Sequence, residues 1–145
     1  MTDDVLTTTL TRTYAKPPSE VFRAWVEPEQ LRRWYAPVDG WVVGAADVTP
    51  GVGGSYTVAF GPAPDGDAYR EHGTYTVFDP PHRLAWTGTL EGDDELTLLT
   101  EVTFTAEGAG TRVTVVESEL PDAATVEEHT EGWTTALENL AQLLA

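Results

Sequence analysis

Three polar side chains combine a reactive type with a position that places them toward an interior: Arg12, Glu117 and His129. Glu117 ends a stretch of alternating residues and shares the parity of Val113 and Val115, so its carboxylate points the way those valines point. A carboxylate among apolar neighbours is costly unless it is paired. Arg12 has the parity of Leu6, Leu10 and Tyr14 in an N-terminal alternating stretch. If that stretch borders the last strand, Arg12 and Glu117 can meet. The pair is then either a structural ion pair near a solvated strand end or a polar anchor for a ligand. His129 lies three residues after Val126 and four before Trp133, on the rim of an apolar helical stripe. That position suits either the solvent edge or the mouth of a cavity. The chemistry these types offer is proton transfer by Glu117 or His129 and polarisation by Arg12.

Nothing else in the chain specifies a reaction. There is no nucleophile elbow, no P-loop, no zinc-protease helix and no dinucleotide fingerprint. Gly51-Val52-Gly53-Gly54 leads into a strand, so it lacks the helix N-terminus on which phosphates sit. Glu71-His72 and Glu128-His129 are adjacent pairs without metal-ligand spacing. His72 and His82 fall at strand ends and read as surface residues. No metal and no cofactor is expected, and binding is favoured over catalysis.

The elements that must position these groups follow from periodicity. Residues 5–14 alternate and are rich in β-branched types, which predicts a strand. Pro17-Pro18 breaks it, Ser19 is expected to cap a helix through Trp25, and Pro28 opens a second short helix through Trp34. From Gly40 to Ser118 the period is two, giving strands at 41–48, 54–60, 69–78, 82–89, 96–106 and 111–119, joined by turns rich in Gly, Pro and Asp. Residues 122–145 return to helical spacing, with Val126, Thr130, Trp133, Leu137, Leu140 and Leu144 on one stripe.

An antiparallel meander followed by one amphipathic helix packs when the sheet curls around the helix. Gly44, Gly51, Gly53, Gly54, Gly73 and Gly88 are candidate points of curvature. Turn lengths fix the register: Phe104 faces Val113, Val102 faces Val115, Thr100 faces Glu117, Leu84 faces Val102 and Val77, and Trp86 faces Thr100 and Tyr75. The predicted concave lining also includes Tyr56, Val58, Phe60 and Leu98. A deep curl leaves a cavity that the helix does not fill. Its expected walls are Phe22, Trp25 and Trp34 from the short helices, and Tyr56, Tyr75, Trp86, Leu98, Phe104 and Glu117 from the sheet. His129, Trp133 and Leu137 complete it from the last helix. The 14 aromatic residues, five of them tryptophan, suit core packing and the holding of a small apolar or aromatic molecule.

Composition narrows the class. The 145 residues form a single domain, 1–145, long enough to bury roughly 70% of its unfolded surface. The absence of cysteine excludes disulfides, thiolate catalysis and thiolate metal sites. The 24 acidic side chains against 8 basic ones give a net charge of −16. Residues 1–36 are neutral, and the whole excess lies in 37–145. Such a chain is not built for nucleic acid or an anionic membrane. The acidic surface reads as a solubility device or as a face for a basic protein partner. No export signal or membrane span is evident, so a cytoplasmic monomer or homodimer is expected.

A resemblance joins these readings. Pro17-Pro18-Ser19-Glu20-Val21-Phe22-Arg23-Ala24-Trp25, continued by Pro28 and by Leu31 to Trp34, resembles the opening of the AHSA1-like branch (activator of Hsp90 ATPase homologue) of the START/SRPBCC, or Bet v 1-like, superfamily. Asp47, Pro50, Gly53-Gly54, Gly73-Thr74-Tyr75, Pro80-Pro81-His82-Arg83-Leu84, Gly110-Thr111 and Glu131-Gly132-Trp133 follow in the family's order. Thr49 stands where many relatives carry arginine. The resemblance implies the α+β helix-grip fold, a seven-stranded antiparallel sheet gripping a long C-terminal helix. Its members include lipid carriers, hormone receptors, aromatic cyclases and co-chaperone domains. Three functions are therefore weighed: a binder of a small hydrophobic or aromatic molecule, an Hsp90-type interaction module, and a cyclase- or hydrolase-like enzyme on an enclosed substrate.

Overall fold

The computed structural model describes residues 6–92 and 97–145. The elements run β1 (Leu6–Tyr14), α1 (Pro18–Val26), α2 (Pro28–Leu31), β2 (Trp41–Val48), β3 (Ser55–Pro62), β4 (Tyr69–Asp79), β5 (Arg83–Leu90), β6 (Thr97–Glu107), β7 (Gly110–Leu120) and α3 (Ala123–Leu143). The seven strands form one antiparallel sheet in the order β1-β7-β6-β5-β4-β3-β2. The first strand thus closes against the last, while β2 to β7 follow as hairpins. This is the helix-grip arrangement, with α3 across the inner face of the curled sheet.

Hairpin arithmetic holds for most of the sheet. Phe104 stands opposite Val113, Val102 opposite Val115 and Thr100 opposite Glu117. Leu84 stands opposite Val102 and Trp86 opposite Thr100 and Tyr75. The expected Val77–Leu84 pair does not form. A bulge between Tyr75 and Val77 shifts the register, so that Phe78 meets Leu84 and Val77 meets Ala85. One extra residue exchanges the two faces of a strand. Phe78 therefore takes the inner side, packing edge-on against Phe22 and Tyr75. The turn expected at Glu91 to Glu95 and the strand start at Leu96 fall largely outside the described residues.

The short helices also differ in detail. Pro17 rather than Ser19 occupies the cap of α1, with no side-chain cap bond, and Pro18 opens the helix. A proline there loses an N–H that has no helical partner anyway. Helix α2 stops at Leu31, and the chain turns through Arg33 and Trp34 on bonds to the carbonyls of Gln30 and Leu31. At the other end, the Asp122 carboxylate accepts from the Thr125 N–H at 2.8 Å and caps α3.

Helices α1 and α2 close one end of the curl. Trp25 lies 4.6 Å from Trp34 and 6.0 Å from Phe104, ring centre to ring centre, and Phe22 lies 5.2 Å from Phe104. Leu137 and Leu140 of α3 complete this filled end. The Trp34 indole donates to the Ala24 carbonyl at 2.8 Å, and the Tyr14 hydroxyl donates to the Leu137 carbonyl at 3.1 Å. These two buried donors are paired, whereas the Trp25 indole N–H, buried among the same rings, has no hydrogen-bond partner among the described residues.

Candidate functional site

The opposite end of the curl is not filled. Between the first turns of α3, the segment after α2 and strands β3 to β7 lies a cavity of about 470 Å³, within the size range of small-molecule sites. Its apolar walls are Trp41, Phe60, Trp86, Leu90, Leu98 and Trp133. Tyr69 stacks on Trp41 at 5.2 Å, with ring planes 14° apart, and joins the rim. Exposed Glu128 and Glu131 of α3 border the opening.

Two polar centres face this space. The first is Glu117, which is only 6% exposed. Its Oε2 accepts from the Thr100 hydroxyl at 2.9 Å, and its Oε1 lies 2.7 Å from His129 Nδ1. A bulge explains the aim of this side chain. Between the pairs Leu6–Leu120 and Thr8–Glu117, β7 carries one residue more than β1, and Glu119 takes a left-handed φ of 72°. Both Glu117 and Leu120 can then turn inward although they are three apart. Thr8, opposite Glu117, ties β1 to α3 through its hydroxyl, 2.6 Å from that of Thr130.

The second centre is Glu71 of β4. Its Oε2 accepts from the Tyr35 hydroxyl at 3.1 Å and from the Tyr56 hydroxyl in a short bond. Tyr56 reaches it across a gap that two glycines create. Gly73 and Gly88 face each other on β4 and β5, and a Cβ at the first would overlap the Tyr56 ring, at the second its hydroxyl. The phenol occupies the volume those side chains would take.

Burial acts on both centres. It pushes Glu71 up to about 7, helped by the charge of Glu117 and opposed by the Tyr56 and Tyr35 hydrogen bonds and by His129. His129 is raised above its ordinary value, chiefly by its hydrogen bond to Glu117 and against the cost of burial. Tyr35 and Tyr56 are raised well above theirs, by burial first and the nearby Glu71 carboxylate second, so both remain donors. Near neutral pH the cavity therefore holds a carboxyl poised between acid and base facing an imidazole–carboxylate pair. Groups whose titration burial and neighbours bring close to neutrality are those from which acid–base sites are made. Among the described residues, no group of three or more His, Cys, Asp or Glu is placed to hold a metal ion.

Of the residues singled out in the sequence, Trp86, Leu98, Glu117, His129 and Trp133 line the large cavity together. Trp25, Tyr56 and Tyr75 border a separate gap of about 10 Å³. Phe22, Trp34, Phe104 and Leu137 lie in the packed end. Arg12 does not pair with Glu117. It stands opposite Val113, four residues along β1 from Thr8, and its guanidinium donates to the Thr11 carbonyl at 2.9 Å. At roughly 3.4 Å per residue that separation exceeds the reach of the pair. Glu71 and Tyr35 were not singled out as site residues. Glu71 shares the parity of Tyr75, which was expected to face inward, so the strand pattern contained its signal. Tyr35 follows a short helix in a segment without periodicity, and no pattern points to it.

The fold recurs in solved structures. A protein of Chromobacterium violaceum is 29% identical with a TM-score of 0.80, covering 96% of this chain and 97% of its own. One of Rhizobium leguminosarum is 26% identical at 0.80, covering 97% and 95%. One of Nitrosomonas europaea, 24% identical at 0.79 and covering 96% and 94%, shares the fold. A comparison with curated proteins finds no match. Residues 15–145 match the family described as "Activator of Hsp90 ATPase homolog 1-like protein". The chain belongs to that family, the AHSA1-like branch of the START/SRPBCC superfamily.

Proposed function

We propose that this domain binds a small, largely apolar or aromatic molecule in the cavity, with Glu71 and the Glu117–His129 pair as polar anchors. One observation carries the reading: 470 Å³ of space is bounded by aromatic rings yet contains two carboxyl groups held in place by tyrosine, threonine and histidine partners. Groups that cost free energy to bury are retained where no packing need explains them. Trp86 and Trp133 line the site, so a bound guest should change tryptophan fluorescence and raise the melting temperature. A panel of lipids, aromatics and polyketide-like compounds tests this. Silence in both readouts across the panel defeats the proposal.

The enzymatic reading has one specific observation in its favour, two titratable groups, Glu71 and His129, lining one cavity and both raised by their surroundings. Under that reading Glu117→Gln abolishes turnover of a bound compound without loss of binding. The interaction-module reading draws on the family description and the acidic surface. An unchanged Hsp90 ATPase rate in the presence of the chain would count against it.

A further inference from the structure

We infer that the guest of this cavity is a cationic amine, an aromatic or apolar body carrying a protonated nitrogen that seats against Glu71 and Glu117. This rests on the cavity being a binding site and names the chemical class it takes. Among the described residues, the lining has four carboxylates, Glu71 and Glu117 inside and Glu128 and Glu131 at the rim, and no lysine or arginine. His129 is the one basic group, and Glu117 already holds it. A fatty acid or other anion would enter against like charge with no counter-ion to meet it. An ammonium meets the opposite situation.

The hydrogen-bond inventory points the same way. Both tyrosine donors go to Glu71 Oε2, and among the described residues Oε1 has no hydrogen-bond partner. An ionised carboxylate only accepts, so a guest that completes this site must donate. Trp41, Trp86 and Trp133 border the same space, and aromatic rings of this kind attract cations, more strongly when water is excluded. The net charge of −16 adds a long-range field that concentrates cations at the opening.

The titratable groups facing this position are Tyr35 after α2, Tyr56 on β3, Tyr69 and Glu71 on β4, Glu117 on β7, and Glu128, His129 and Glu131 on α3. A cation seated among them favours ionised Glu71 and neutral His129. Binding then releases protons, and affinity rises from about pH 6 to about pH 8 while the amine stays protonated.

The test is calorimetry with three probes that share one ring system: naphthylethylamine, naphthylethanol and naphthylacetic acid. The expected result is an amine about tenfold tighter than the alcohol, with the acid weakest. The amine's advantage should grow with pH, and Glu71→Gln and Glu117→Gln should each cut it several-fold while alcohol binding persists. Persistence of alcohol binding also shows that the variants are folded. Equal or tighter binding of alcohol or acid overturns the amine assignment and leaves the cavity reading standing. An amine preference untouched by both substitutions overturns it too, because the charge would then act from the general surface. Binding of none of the three defeats both readings.

Discussion

The two ends of the curled sheet are built from the same strands and the same helix, yet they solve opposite problems. At one end α1 and α2 press Phe22, Trp25 and Trp34 onto Phe104, and Leu137 and Leu140 close the gaps. There the polar atoms of Trp34 and Tyr14 are spent on backbone carbonyls. At the other end neither α1 nor α2 descends, and the space is edged by Glu71, Glu117 and His129. The packed end gains stability from burial and dispersion. The open end gives some of it up by holding ionisable groups away from bulk water. The difference teaches that stability and recognition are separated along one helix, with Trp133 at the border, stacked on Trp25 at 5.7 Å on one side and lining the cavity on the other.

The largest effect should come from the packed end. Phe104→Ala is expected to cost about 3–5 kcal/mol in urea unfolding, through lost transfer free energy and the void left behind. A loss below about 1 kcal/mol would mean that this end is not the mechanical core, and the contrast would collapse.

The next effect has the opposite sign. Glu71 is raised from 4.5 to about 7 by folding, so the native state binds its proton more tightly than the unfolded chain does. Its stabilising contribution is complete below about pH 4.5 and is lost as pH rises through about 7. His129 is also raised, so its contribution is present below its unfolded value of about 6.5 and fades above it. Stability should fall as pH rises through this window. Glu71→Gln removes the first share and should stabilise the protein at pH 8, by on the order of 2 kcal/mol, with no gain near pH 4.5. Unfolding curves at both pH values measure this, and a loss at pH 8 would show that Glu71 serves the fold rather than the cavity.

The smallest effect sharpens the picture. Tyr56→Phe removes a donor that holds Glu71 down, so Glu71 should titrate higher, as read by carboxyl chemical shifts. Stability should drop by about 1 kcal/mol. An unmoved titration would make Tyr35 the sole partner that matters.

Much of this design was legible in the chain. Turn lengths fixed the β5–β6–β7 register, because a hairpin allows little freedom once its turn is known. The inward aim of Glu117 followed from parity alone. Parity also held the signal for Glu71, which is four residues from Tyr75. The bulges were not legible: nothing in Tyr75-Thr76-Val77 announces an extra residue, and its consequence is that Phe78 replaces Val77 inside. Arg12 has the inward parity, but how far along β7 it would sit depended on how β1 and β7 align. Such long-range pairing has no turn to set it. Tyr35 depends on tertiary placement alone.

Gly73 and Gly88 contribute no side chain, yet what they omit determines where the Tyr56 phenol can lie and hence how Glu71 is tethered. A methyl group added at Gly88 would displace the phenol and reshape the chamber without altering a single carboxylate, whereas one at Gly73 would also press on the Thr87 backbone carbonyl. A lineage seeking a different guest could therefore begin its divergence at Gly88, where only the tip of one side chain has to move.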